Sequence, residues 1–207
     1  MARIRELSPD VYRKIAAGEV VERPLSVVKE LVENAIDAGA DEIVVELGDG
    51  GSRLVRVTDN GRGFPPDEIA LAFQRHSTSK LIDLEDLDRL TTLGFRGEAL
   101  ASIAEVARVH LATATAEGSG REMALEPGEA PKITAAACAR GTRIQVTDLF
   151  FNFPVRGKFL KSARTETNRV SSWMEGMALA WEKVAFRLDH NGRTLFDYPR
   201  ADTLQER

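Results

Sequence analysis

Glu30, Glu33, Asn34 and Asp37 stand three and four residues apart. On a helix, at about 100° per residue, they fall on one narrow arc. Val27, Val28, Leu31, Val32, Ala35, Ile36 and Ala38 fill most of the remaining circumference. A solvated helix face usually mixes Lys with Glu, yet the nearby Lys29 lies off this strip. The strip therefore reads as the wall of a site, although a merely solvated acidic face competes with that reading on spacing alone. Glu30 and Asn34 are one turn apart on the same side. Mg²⁺ takes oxygen ligands, keeps several waters and is typically held by one or two protein groups together with substrate phosphates. An Asn oxygen can be such a ligand without adding charge. A carboxylate one turn away can orient or deprotonate a water aimed at a terminal phosphate.

Two further stretches could complete such a site. In Asp59-Asn60-Gly61-Arg62-Gly63 a strand-end carboxylate accepts hydrogen bonds but cannot donate, so it could take the exocyclic amino hydrogen of adenine and discriminate against guanine. The glycines would let backbone lie against a flat base; in isolation, the same residues also make an ordinary tight turn. In Gly94-Phe95-Arg96-Gly97-Glu98-Ala99-Leu100 glycines open a helix, which leaves free N–H groups and the positive helix end facing outward, a natural phosphate cradle. No GxxxxGK(S/T) run and no GxGxxG occurs, so a triphosphate has to be bound without a Walker A loop or a Rossmann fingerprint.

The elements that must position these residues follow from patterning. Ser8–Val21 carries a modest helical pattern, and its small Ala16-Ala17-Gly18-Glu19 run suits packing against a partner. The key helix is framed by Pro24 and Ser26 at its entrance and Gly39 past its end. Glu42–Leu47 and Arg53–Thr58 read as an antiparallel hairpin across Gly48-Asp49-Gly50-Gly51. That helix-then-hairpin order differs from the strand–loop–helix of a P-loop protein. A short helix is expected over Asp67–Phe73, a second helical piece near Leu84–Leu90, and a helix from the Gly94–Leu100 stretch to Ala104. Arg75–Gly97, polar and glycine-containing, reads as a mobile lid. Strands are expected near Val106–Ala112, Glu122–Leu125, Ile133–Ala137 and Thr142–Thr147, then a helix over Glu166–Ala180 and a closing hairpin, Val184–Leu188 and Thr194–Tyr198, across Asn191-Gly192.

Composition narrows the class. Hydrophobic residues make up 43% and charged residues 29% of 207, as in a soluble globular protein of one large or two small domains. No apolar run approaches the roughly 20 residues of a membrane span, and the N-terminus lacks the apolar core of a signal peptide. The lone Cys138 excludes an internal disulfide and any cysteine-cluster metal site. These features suit the cytoplasm. A net charge of −4 means that any nucleic-acid binding is local, weak or shared with other parts. The basic run Arg156, Lys158, Lys161, Arg164 and Arg169, mixed with Phe159 and Leu160, is the one candidate for DNA contact, though such a run is more often a solvated face. The chain stops at Arg207 with no evident terminal feature, which points to a fragment.

The order Glu30-x-x-x-Asn34, Asp59-x-Gly61-x-Gly63, Gly94–Leu100 and Gly141-Thr142 resembles the gyrase, heat-shock chaperone, histidine kinase and MutL superfamily of ATPases. Ile15–Pro24, Arg75-His76-Ser77-Thr78-Ser79-Lys80 and Leu149-Phe150-Phe151-Asn152 look like the motifs of its MutL family, and the resemblance covers essentially the whole chain. It implies an α/β (α+β) two-layer sandwich of the Bergerat type: a mixed, mostly antiparallel sheet with helices on one face, and ATP between helix and lid. It implies Mg²⁺-dependent ATP hydrolysis in DNA mismatch repair, coupling mismatch recognition by a MutS-like sensor to incision by a nuclease and unwinding by a helicase.

Carried over by position, Glu30 would be the general base and Asn34 the Mg²⁺ ligand. Asp59 would bind adenine, with Thr142 supporting that contact through water, and Ala38 and Gly63 would join the nucleotide-binding set. Thr78, Ser79, Lys80, Gly94, Phe95, Arg96, Gly97, Glu98, Ala99 and Leu100 would wrap the phosphates. Glu33 has no assigned role beyond the polar wall or a basic partner. Residues 1–207 are then expected to form a single ATP-binding domain, with 1–24 an N-terminal arm and possible dimer contact and 75–97 the lid. The second transducer domain and the C-terminal dimerisation domain would be absent. Homodimerisation of the full protein and a nucleoid-associated cytoplasmic location are also implied. After Asn152 this chain has Phe153-Pro154-Val155-Arg156-Gly157, where relatives usually carry Thr, Ala and Arg or Lys at the first, third and last positions, which touches only that loop. None of His76, His110 and His190 has the dimerising helix upstream that a phospho-acceptor needs, which argues against a histidine kinase. A nucleotide-gated binding module without turnover and a chaperone-like ATPase are the alternatives.

Overall fold

The computed structural model describes residues 5, 7–75, 77, 93, 97–118 and 120–207. The expected helical piece at Leu84–Leu90, most of the lid, and His76, Thr78, Ser79, Lys80, Gly94, Phe95 and Arg96 lie outside the described residues.

The second helix forms as its sequence requires. Helix α1 spans Pro9–Val20 and α2 spans Pro24–Asp37, with Pro24 in the first turn, where a missing N–H costs nothing. Ser26 lies in the first turn of α2, and its hydroxyl accepts the Glu22 N–H at 3.3 Å, so it ties the entering chain to the helix. At the other end the Gly39 N–H donates to the Ile36 carbonyl (2.8 Å) and the Ala40 N–H to that of Ala35 (3.0 Å). Gly39 itself has φ +73°. This is a Schellman stop, and a left-handed residue there favours glycine. Val27, Val28, Leu31, Val32, Ala35 and Ile36 are buried. Each large aliphatic among them contributes about 1.5–3 kcal/mol on leaving water, so the polar strip is held in place by the opposite face.

The strands are β1 (Glu42–Gly48), β2 (Leu54–Asp59), β3 (Arg108–Ala114), β4 (Arg121–Leu125), β5 (Lys132–Ala135), β6 (Gly141–Thr147), β7 (Ala185–His190) and β8 (Arg193–Tyr198). They form one eight-stranded sheet in the order β5-β4-β3-β6-β2-β1-β7-β8. Among the described residues only the β1–β7 pair is parallel; the other pairs are antiparallel. Among the described residues the other helices are α3 (Ile69–Ala72), α4 (Ala99–Val106), α5 (Pro154–Gly157) and α6 (Ala163–Ala180). Alternation along the strands separates the two faces. Ile43, Val45, Leu47, Val55, Val57, Ile144, Val146, Phe186 and Leu188 point into one core with the buried sides of α2, α4 and α6. On the other face Arg56 bridges Glu46 (2.9 Å) and Gln145 (2.9 Å) across three strands. The result is the expected two-layer sandwich.

Several boundaries differ from expectation. β3 begins at Arg108 rather than Val106, because Val106 closes α4 and the apolar run passes from helix to strand without a breaker. α6 begins at Ala163, three residues early, since the Ser162 hydroxyl caps it by accepting the Thr165 N–H at 3.3 Å. The small run of α1 was expected to face a partner. Ala17 is instead buried in this chain's own core, and a Cβ on Gly18 would lie 3.0 Å from the Arg156 guanidinium.

Candidate functional site

The strip on α2 and the end of β2 meet beside the C-terminus of α2. Glu30, Glu33, Asn34 and Asp37 are all half-buried on one side of the helix, and each is engaged by neighbours. Asp37 Oδ1 accepts the Leu93 N–H at 3.1 Å, so one strip carboxylate holds a residue of the expected lid. At the lid's ends, a Cβ on Gly97 (φ +60°) would come within 2.6 Å of the Ser77 carbonyl. Only glycine admits that approach, and it brings the two ends of the segment together. Arg75 Nη2 donates to the Arg13 carbonyl of α1 at 3.3 Å. Glu98 stands at the N-cap of α4 and Ala99 and Leu100 open it, and the Glu98 side chain does not cap the helix's first turn.

Asp59 ends β2, opposite Thr142 of β6. Its Oδ1 accepts the Gly61 N–H at 2.8 Å. Burial pushes its carboxyl above the ordinary value of 3.8, against opposing hydrogen bonds from the backbone of Gly61 and Thr142. Asp59 is half-buried, and a carboxylate in such a place can only accept hydrogen bonds. Gly61 packs on Ala38, where a Cβ would lie 3.0 Å from both the Ala38 Cβ and its carbonyl oxygen. Gly63 (φ +73°) packs on the carbonyl of Ala114, which a Cβ would overlap.

Thr113, which the sequence reading missed, joins these parts. It is 1% exposed and Thr142 is 7% exposed. The Thr113 hydroxyl accepts the Phe64 N–H (2.9 Å), donates to the Gly141 carbonyl (2.9 Å) and lies 3.2 Å from the Thr142 hydroxyl. The signal was present: Val109, Leu111 and Thr113 share the inward face of β3, and a hydroxyl in an apolar series needs partners.

The donor set fits a magnesium ion that arrives with phosphates. Among the described residues no group of three or more His, Cys, Asp or Glu could hold a metal; Asn34, on the strip, would be the one protein ligand of an ion that arrives with phosphates. The five basic residues do not form one exposed surface. Arg169 Nη1 turns to the buried Glu166 at 3.4 Å and Arg156 covers Gly18, whereas Lys158, Lys161 and Arg164 are exposed. Among the described residues no helix is long and apolar enough to cross a membrane.

A family model described as "Histidine kinase-, DNA gyrase B-, and HSP90-like ATPase" matches residues 19–147, and the chain belongs to that family. The Aquifex aeolicus MutL ATPase domain complexed with ADP superposes with a TM-score of 0.73 at 34% identity, covering 90% of this chain and 67% of that one. The N-terminal domain of a DNA repair protein superposes at 0.80 and 26% identity, over 94% of this chain and 58% of that one. DNA mismatch repair proteins MutL from Shewanella loihica and Shewanella oneidensis are 48% and 50% identical over 202 and 200 residues. Within the family the chain therefore falls among the MutL ATPase domains. It spans about a third of the length of these curated relatives, 97% and 96% of this chain against 32% of each.

Proposed function

We propose that this chain binds Mg²⁺-ATP and hydrolyses it slowly, as the nucleotide-gated part of a longer mismatch-repair protein. The observation that carries the reading is the half-buried Asp59 carboxylate, braced by the Gly61 N–H and set beside a helix whose polar strip offers Glu30 and Asn34. Asp59 accepts the adenine amino hydrogen, with Ala38, Gly61 and Gly63 lining the base and Thr142 supporting Asp59. Asn34 ligates Mg²⁺, which offsets phosphate charge when bound. Glu30 orients the attacking water and takes its proton. The entrance to α4, from Gly97 to Leu100, and Thr78, Ser79, Lys80, Gly94, Phe95 and Arg96 hold the phosphates. Asp37, by binding the Leu93 N–H, ties that lid to the strip.

In the longer protein ATP orders the lid, and a cation from a following domain completes the phosphate site, so the chain alone turns over slowly. The N-terminal arm then forms the homodimer. The support is a stripe on α1 and its approach, Leu7, Val11, Tyr12 and Ile15, which remains exposed, while Ala17 and Val21 are committed to the core. Coupling to a MutS-like sensor and to a nuclease or helicase, weak DNA contact through Lys158, Lys161 and Arg164, and a cytoplasmic, nucleoid-associated location complete the reading. Single-turnover hydrolysis with Glu30→Ala tests it: ATP binding persists and hydrolysis falls by about 10²-fold. Unchanged hydrolysis would leave a binding module without a general base at Glu30.

A further inference from the structure

Asn60 follows the base-reading Asp59 and makes three hydrogen bonds to one short segment. Its Oδ1 accepts the N–H groups of Asp41 (3.0 Å) and Glu42 (3.1 Å), and its Nδ2 donates to Asp41 Oδ1 (2.7 Å). That segment connects α2 to β1. The orientation of the amide follows from this network: two backbone donors face its oxygen and a carboxylate faces its nitrogen. Among side chains of this length only Asn offers both an acceptor and a donor. Asp41 is fixed in turn, its Oδ2 held by Arg200 Nη1 (2.6 Å) and its carbonyl by the Ala185 N–H (2.9 Å). The Arg62 N–H adds a bond to the Ala38 carbonyl (3.0 Å).

The Asp59–Gly63 loop is thus fastened at two points, by Arg62 to the Ala38 cap of the helix that carries Glu30 and Asn34 and by Asn60 to the segment that leads from that helix into β1. We infer that Asn60 is a positioning residue for base recognition: it sets the distance between the Asp59 carboxylate and the Ala38 wall, and so the enzyme's preference for adenine. The inference rests on the assignment of Asp59 to the adenine amino group. Without the clamp the Asp59–Gly61 turn keeps its internal bond and its pairing in the sheet, but only the Arg62–Ala38 bond is left to hold the loop against the end of α2. The base slot then widens, and a misplaced acceptor discriminates poorly between an amino and a carbonyl group on the purine.

The test is a charge-neutral swap across the 2.7 Å contact. Asn60→Asp sets two carboxylates against each other. Adding Asp41→Asn restores one donor and one acceptor, with the new amide oxygen turned to Arg200. Calorimetry with ATP and with GTP, alongside thermal midpoints, reads the outcome. Asn60→Asp is expected to weaken ATP by roughly ten-fold and to narrow the ATP-to-GTP preference, and the double variant to recover ATP affinity to within about two-fold. An Asn60→Asp protein that binds ATP like the wild type overturns the clamp. So does one that loses ATP and GTP equally, in step with its thermal midpoint and without rescue. Asp59→Asn is run in parallel. If it leaves adenine preference intact, the base-reading role of Asp59 fails and the clamp's function falls with it. If it abolishes the preference while Asn60→Asp does not, only the clamp is refuted.

Discussion

Thr113→Val replaces a buried hydroxyl with a methyl of nearly the same shape, so it isolates hydrogen bonding from packing. The hydroxyl serves the Phe64 N–H and the Gly141 carbonyl, both at 2.9 Å, and touches the Thr142 hydroxyl at 3.2 Å. Removing it strands one donor and one acceptor where water has little access. At about 1–2 kcal/mol for each stranded group, the loss is about 2–4 kcal/mol. For a domain of this size a kcal/mol moves the thermal midpoint by about 2–4 °C, so a fall of about 4–16 °C is expected. Thr113→Ser is the control. It keeps the hydroxyl and drops a methyl, which costs about 1 kcal/mol. Urea unfolding with a shared slope measures both. A Val variant as stable as the Ser variant, or more so, would refute the reasoning, because packing rather than the hydroxyl would then hold Gly63–Phe64 to β3 and β6.

Asp59→Asn should change stability in a pH-dependent direction. The folded state holds this proton more tightly than the unfolded one because burial raises the carboxyl above 3.8. Asp59 therefore detracts from stability as pH rises from about 3.8 through the raised value, fully so above it. Nucleotide-free Asp59→Asn is expected to gain on the wild type between pH 3.5 and 7 in thermal scans, and an equal offset at both ends contradicts this. Gly63→Ala should destabilise by about 2 kcal/mol or more, since it forces a left-handed alanine and sets a Cβ against the Ala114 carbonyl; a wild-type midpoint would mean the loop can move aside. Asn34→Ala should weaken ATP binding with Mg²⁺ present but change it less than about two-fold in chelator. Equal losses in both conditions would remove Asn34 as the metal ligand.

The strip on α2 was legible because burial of one helical face leaves the other residues nowhere else to point. The first hairpin was legible because Gly48-Asp49-Gly50-Gly51 contains residues that accept positive φ, as Asp49, Gly50 and Gly51 do. Thr113 was not, since its partners Phe64, Gly141 and Thr142 come from segments far apart in the chain. Asn60 was passed over for the same reason: its neighbours suggested a turn, and its bonds run to Asp41 and Glu42. The short α5, with Pro154 at its start, has too few residues to show a helical period. Strand order is a matter of long-range pairing, which no local pattern encodes.

The parallel pairing of β1 with β7 has a consequence during synthesis. The segments it joins lie about 140 residues apart, as the Gly50–His190 contact beside it shows. At about 5–20 residues per second on the ribosome, β1 waits on the order of ten seconds for its neighbour. During that interval the strand beside the strip-bearing helix presents an unpaired backbone edge, a template for any other extended chain nearby. Chaperone demand should therefore peak before β7 emerges. A transcript cut short ahead of Ala185 would yield an open-edged sheet prone to aggregate rather than a smaller working domain.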